Sequence, residues 1–70
     1  MKLSARNILD GRVLAINKGQ TTAHVRIEVA PDVVLTASIT NEAVDDLGLR
    51  EGESASAVIK ASDVMIGKAN

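Results

Sequence analysis

Apolar and polar residues alternate over two consecutive stretches in the middle of the chain. From Thr22 to Val29 the apolar residues occupy every second position, and from Val33 to Ile39 most of the apolar residues keep the same period. A period of two is typical of a strand with one buried face. Ala30-Pro31-Asp32 separates the two stretches with turn-forming residues, so the pattern predicts a β-hairpin.

Three further segments carry strand patterns. Gly11 to Ile16 is apolar on both faces, as in a strand covered either by its own sheet or by a neighbouring subunit. Strict alternation places Val13 and Ala15 on one of those faces and Leu14 and Ile16 on the other. Ser54 to Ala61 alternates small apolar residues with more polar ones, and Val64-Met65-Ile66 is predicted to form a final short strand.

Residues 40–48 predict one short helix. Thr40 or Asn41 can act as its N-cap, and the glycine at its end supplies a left-handed stop. Val44 and Leu47 are three positions apart, so we expect both on the buried face of the helix.

Five short strands and one small helix predict an all-β fold. We expect a five-stranded Greek-key barrel of the oligonucleotide/oligosaccharide-binding (OB) type with one short helix, because 70 residues are too few for a sandwich. Residues 1–70 are expected to form a single domain. A chain of this length buries a small core and this one has no cysteine, so we expect self-association to reinforce it.

Composition argues against several classes of function. The chain has a net charge of −1 and no Phe, Tyr or Trp, whereas single-stranded nucleic acid is held on aromatic side chains above a positive groove. It shows no nucleophile paired with a base, no carboxylate dyad and no glycine-rich phosphate loop, so no enzyme is predicted. The absence of a signal peptide and of an apolar span predicts a cytoplasmic protein with no membrane partner.

Two short polar segments at opposite ends of the chain stand apart from ordinary surface. Ser4-Ala5-Arg6-Asn7 and Lys60-Ala61-Ser62 each place a cation two residues from a hydroxyl, on the same face of an extended backbone. Such a pair suits a small multivalent oxyanion. The alternative is ordinary surface ion pairing of the two cations, with Glu42, Glu51 or Glu53.

Four stretches together resemble the molybdate-binding Mop domain, also called molbindin. They are Ser4–Asn7, Gly11–Val13, Ile39–Val44 and above all Val58–Gly67. The similarity runs along the whole chain in a single copy, so residues 1–70 are interpreted as one Mop domain. The resemblance implies a TOBE-like barrel that assembles as a homohexamer, a trimer of dimers. It also implies molybdate or tungstate as the ligand, held at subunit interfaces, and no cofactor.

In that family the oxyanion is held by the Ser-Ala-Arg segment of one subunit and the Lys-Ala-Ser segment of another. The resemblance therefore implies a set of binding residues, with the asparagine bracing the loop: Ser4, Ala5, Arg6, Asn7, Lys60, Ala61 and Ser62. The cations balance the dianion, while hydroxyls and backbone N–H groups donate to its oxygens. The resemblance also implies a second oxyanion site, placed on the turn that contains Lys18, Gly19, Gln20 and Thr22.

The function implied is storage and homeostasis of cytoplasmic molybdate for the synthesis of molybdenum cofactor. One alternative is a sensing module that acts on a transcription factor or a transporter, since similar domains occur fused to both. An oligonucleotide-binding barrel is a further alternative that the fold permits, although the missing aromatic residues and the missing basic stripe oppose it.

Overall fold

Four antiparallel strands and one α-helix form the structure, a computed structural model that describes residues 1–70. The elements are β1 (Asn7–Lys18), β2 (Thr22–Ala30), β3 (Val33–Thr40), α1 (Asn41–Leu47), β4 (Ser54–Ile59) and a turn of 3-10 helix at Ala61–Asp63. The strands make one sheet in the order β3-β2-β1-β4. The predicted all-β architecture with one short helix is confirmed.

The sheet of one chain has four strands instead of the five predicted. Val64-Met65-Ile66 follows the 3-10 turn and joins no strand, and the side chains of Met65 and Ile66 are 92% and 90% exposed. The segment has a strand-like sequence, but a strand forms only where a neighbouring strand accepts its hydrogen bonds. Without the fifth strand, β3 and β4 are the two edge strands of the sheet.

β1 is the longest strand and joins the two halves of the sheet. Up to Arg12 it pairs with β4, and from Arg12 onward it pairs with β2. The register of the second half shifts at Leu14, which forms a β-bulge. A one-residue shift exchanges the two faces of a strand, so Val13 and Ile16 both pack on the core side. Strict alternation had placed them on opposite faces, and that prediction was wrong.

The buried core is small and aliphatic. It consists of five residues, four from the strands and one from the helix: Val13, Ala23, Val25, Ile27 and Val44. Three of the five come from β2, whose predicted inward face is thereby confirmed. Such a core is close to the minimum for a stable domain, since small chains bury a low fraction of their surface.

Helix α1 begins and ends where the sequence predicts. The hydroxyl of Thr40 accepts a hydrogen bond from the N–H of Ala43 at 3.0 Å, and Gly48 closes the helix with φ 62°. Val44 is buried, but Leu47 is 69% exposed, contrary to prediction, because it lines a groove that is open to solvent. No helix of the chain has the length and apolar character needed to span a membrane.

We predict that Gly11→Ala destabilises the fold and that Gly67→Ala does not. A Cβ at position 11 would lie 2.4 Å from the carbonyl oxygen of Glu28, so the backbones of β1 and β2 would have to separate. Overpacking of this kind costs about 1 to 3 kcal/mol. A Cβ at position 67 meets nothing within 4 Å. Urea unfolding followed by far-ultraviolet circular dichroism measures both variants, and equal midpoints for the two would contradict the prediction.

Candidate oxyanion site

The two polar segments lie at the same end of the β1–β4 ladder. Asn7 and Ile59 form the last pair of that ladder, so Arg6 and Lys60 are the next residues beyond it on the two strands. The side-chain amide of Asn7 donates to the carbonyl oxygen of Ile59 at 3.2 Å and ties the two strands at this point. Antiparallel pairing thus brings together residues from the two ends of the sequence.

A turn of 3-10 helix shapes the segment that contains Lys60. The N–H of Asp63 donates to the carbonyl of Lys60 at 2.9 Å, and the N–H of Val64 donates to the carbonyl of Ala61 at 3.3 Å. The N–H groups of Ala61 and Ser62 come first in the turn and have no acceptor within it. Two backbone donors therefore accompany the ammonium group and the hydroxyl of this segment.

Neither Arg6 nor Lys60 forms an ion pair with a carboxylate. The three ion pairs of the structure join other residues: Arg12 with Glu28, Lys18 with Asp45, and Arg50 with Glu53. The alternative considered from sequence was pairing of the two cations with Glu42, Glu51 or Glu53, and it is not observed. Both cations therefore keep their donors available at one end of the ladder.

Most of the candidate donors lie at the surface of the single chain. Ala5 and Asn7 are half-buried, and the others are exposed: Ser4, Arg6, Lys60, Ala61 and Ser62. Charge interactions at such a surface act through water of high dielectric constant and are screened by salt. One chain thus presents donors of the right kind in one place, but it does not enclose an anion.

Several polar groups of the turn between β1 and β2 already form hydrogen bonds or an ion pair within the chain. The N–H of Gly19 donates to the carbonyl of Thr22 at 2.7 Å, and the side chain of Asn41 donates to the carbonyl of Gly19 at 2.9 Å. The ammonium group of Lys18 lies 2.6 Å from a carboxylate oxygen of Asp45, which would repel an anion. The second oxyanion site stays a prediction, on Lys18, Gly19, Gln20 and Thr22.

An apolar groove of about 440 Å³ lies beside the sheet, and the sequence analysis missed it. Eleven of its 13 lining residues are hydrophobic, and most belong to β3 and β4, the two ends of the sheet order. The available signal was the number of apolar residues assigned to inward faces. Leu35, Ala37 and Ile39 of β3 are among the residues that line the groove.

Comparisons with known proteins agree with this fold. Residues 3–66 match the family described as the TOBE domain. Molybdenum-pterin-binding protein 3 from Clostridium pasteurianum is 47% identical to the chain over 66 residues, which cover 94% of this chain and 97% of that protein. The family match at residues 3–66 therefore includes both candidate segments.

Two solved structures are similar to the chain in fold and in sequence. MopII from Clostridium pasteurianum, in an apo form, has a TM-score of 0.88 and 42% identity, covering 96% of this chain and 100% of that chain. The cytoplasmic molybdate-binding protein ModG, with molybdate bound, has a TM-score of 0.88 and 49% identity over 93% of this chain and 46% of that chain.

The family match spans nearly the whole chain, and molybdenum-pterin-binding protein 3 and MopII are each covered almost completely at more than 40% identity. The predicted resemblance is thereby confirmed: the chain belongs to the TOBE domain family, among the Mop molybdenum-pterin-binding proteins.

Proposed function

We propose that this chain binds molybdate or tungstate through the segments Ser4–Asn7 and Lys60–Ser62, and that it stores the oxyanion in the cytoplasm. The observation that carries this proposal is the β1–β4 ladder, whose last pair is Asn7 and Ile59, so that Arg6 and Lys60 are the next residues on the two strands and neither is in an ion pair. The relatives support it, because one of them is a molybdate-binding protein with molybdate bound. The proposed role is binding, not catalysis.

The chemistry of the donors matches a tetrahedral dianion. The guanidinium of Arg6 can donate to two oxygens at once, and the ammonium of Lys60 adds a compact second charge. The hydroxyls of Ser4 and Ser62 and the N–H groups near Ala5 and Ala61 can donate to the remaining lone pairs. Two cations balance the two charges of the ligand.

We propose further that the anion is bound between subunits of a homohexamer, a trimer of dimers. The donors are exposed in one chain, so the Ser4–Arg6 segment of one subunit and the Lys60–Ser62 segment of another can hold the anion between them. Removal of water at that interface would strengthen each charged hydrogen bond. Residues 1–70 act as one Mop domain in this assembly. The five-stranded Greek-key barrel predicted from sequence is proposed for the assembled form.

A shell made mainly of donors also discriminates between oxyanions. Molybdate at neutral pH carries no proton, so each of its oxygens can accept a hydrogen bond. Monohydrogen phosphate presents one O–H group, and the only side-chain acceptors in the proposed shell are the hydroxyls of Ser4 and Ser62. A hydroxyl that accepts from this O–H group must turn its own hydrogen away from the ligand, and a polar group left unpaired in a desolvated site costs about 1 to 3 kcal/mol. Protonation state, more than shape, is therefore expected to exclude phosphate.

We predict that Arg6→Gln and Lys60→Gln each weaken molybdate binding roughly 10- to 150-fold, because each removes charged hydrogen bonds of about 1.5 to 3 kcal/mol. Isothermal titration calorimetry measures the change. Arg26→Gln is the matched control, since Arg26 is an exposed cation of the sheet without an ion pair and lies outside the proposed site.

The control separates a local site from general attraction by positive charge. Arg26→Gln should bind molybdate as the unchanged protein does. If all three substitutions weakened binding equally, the dianion would be responding to net charge, and the proposed site would be wrong. If Arg6→Gln and Lys60→Gln bound as tightly as the unchanged protein, the ladder end would not be the site.

We predict that tungstate displaces bound molybdate and that phosphate competes roughly 5- to 150-fold less well, for the protonation reason given above. A competition titration at neutral pH measures both anions against the same loaded protein. Phosphate displacing molybdate as readily as tungstate does would contradict discrimination by protonation state.

A further inference from the structure

A carboxylate lies directly beside the donors of the Lys60–Ser62 segment. Asp63 follows Ser62 and is the last residue of the 3-10 turn, which makes it the carboxylate nearest in sequence to Lys60. A negative side chain close to a bound anion weakens the binding of that anion, because like charges repel. The binding of a dianion alone therefore does not account for an acidic residue at this position.

The 3-10 turn brings Asp63 back toward Lys60. The N–H of Asp63 donates to the carbonyl oxygen of Lys60 at 2.9 Å. Two residues joined by such a bond across three positions have their Cα atoms within about 7 Å of each other. Positions three apart also lie on the same side of a 3-10 turn. The carboxylate of Asp63 is therefore within reach of the ammonium group of Lys60 after rotation of the two side chains.

Asp63 has no partner that would give it a structural role in the single chain. Its side chain is exposed and takes part in no ion pair and no hydrogen bond. Other aspartates of the chain do have such partners: Asp10 accepts from the hydroxyl of Ser56 at 2.8 Å, and Asp45 lies 2.6 Å from the ammonium group of Lys18. The carboxylate of Asp63 and the ammonium group of Lys60 are thus neighbouring opposite charges, each without a partner.

We propose that Asp63 is the counter-ion of Lys60 in the ligand-free protein, and that an oxyanion must displace it in order to bind. This inference rests on the proposed function, because it assigns a further residue to the same site. A dianion carries twice the charge of a carboxylate and can bind Lys60 and Arg6 together, so it displaces Asp63 when it is plentiful. When the oxyanion is scarce, Asp63 returns to Lys60, since both belong to the same turn and the carboxylate stays at a high effective concentration.

This competition sets the concentration of oxyanion at which the site fills. An anion held by two cations and several further donors dissociates slowly, and a protein that stores the anion must also release it. A carboxylate that replaces the departing anion favours release. It also lowers the repulsion between Arg6 and Lys60 in the ligand-free state, so Asp63 stabilises the empty site at the expense of the filled one.

Asp63→Asn tests the proposal, with Asp46→Asn as the matched control. Asp46 is an exposed carboxylate of α1 that forms no ion pair. In calorimetric titrations at neutral pH and constant salt, Asp63→Asn should bind molybdate roughly 2- to 5-fold more tightly than the unchanged protein, as expected for the loss of a competing exposed ion pair. Asp63→Glu keeps the carboxylate and should bind as the unchanged protein does, and so should Asp46→Asn.

The same substitution in a Lys60→Gln background separates displacement from general repulsion. If Asp63 acts by occupying the ammonium group, the gain in affinity from Asp63→Asn should largely disappear when it is combined with Lys60→Gln, so the two substitutions should not be additive. Thermal unfolding gives a second measurement. Asp63→Asn should lower the midpoint of the ligand-free protein and enlarge the rise in midpoint on addition of molybdate.

Three results would overturn the role of Asp63 and leave the proposed function intact. They are an affinity of Asp63→Asn equal to or below that of the unchanged protein, the same gain in affinity with and without Lys60→Gln, and a selective loss of phosphate binding. The last would identify Asp63 as an acceptor for the O–H group of monohydrogen phosphate. If Lys60→Gln bound molybdate as tightly as the unchanged protein, both the proposed site and the role of Asp63 would be wrong.

Discussion

The antiparallel pairing of β1 with β4 is the interaction on which both the fold and the candidate site depend. It runs from Asn7 and Ile59 to Arg12 and Ser54, and it is the contact that brings the two ends of the sequence together. Without it the segments Ser4–Asn7 and Lys60–Ser62 would be separate polar termini. With it they form one group of donors, and the side chain of Asn7 holds the ladder closed at the point where that group begins.

The second constraint is the small number of residues that can form a core. Aliphatic side chains alone must bury enough surface to fold 70 residues, and only five residues of the chain are buried. Apolar residues on the inward faces of β3 and β4 remain around an open groove. Burial of this apolar area by another surface would contribute roughly 25 cal/mol per Å² to stability.

The sequence predicted local structure well. It predicted poorly which face of a strand a residue occupies where that depends on pairing with distant segments. The caps of α1 at Thr40 and Gly48 and the hairpin between β2 and β3 depend on residues that are close in sequence, and these were confirmed. The residues around Leu14 do not indicate the bulge. It lies in the part of β1 that follows the change of partner strand from β4 to β2, so it depends on pairing with distant segments. The exposure of Leu47 and the missing fifth strand depend on neighbours that no single-chain pattern reports. The site segments were recognisable from residue types, but their meeting required the β1–β4 register.

The placement of the donors beside the open side of the sheet connects these constraints. An exposed cation gains little from an anion in water, and an open groove gains little until another surface covers it. Lys60–Ser62 lies between β4, which borders the groove, and the apolar segment at residues 64–66. In the proposed hexamer, the approach of a second copy would remove water from both the apolar and the charged surfaces. A dianion between the copies would offset the mutual repulsion of Arg6 and Lys60, so the ligand and the assembly would stabilise the same contact.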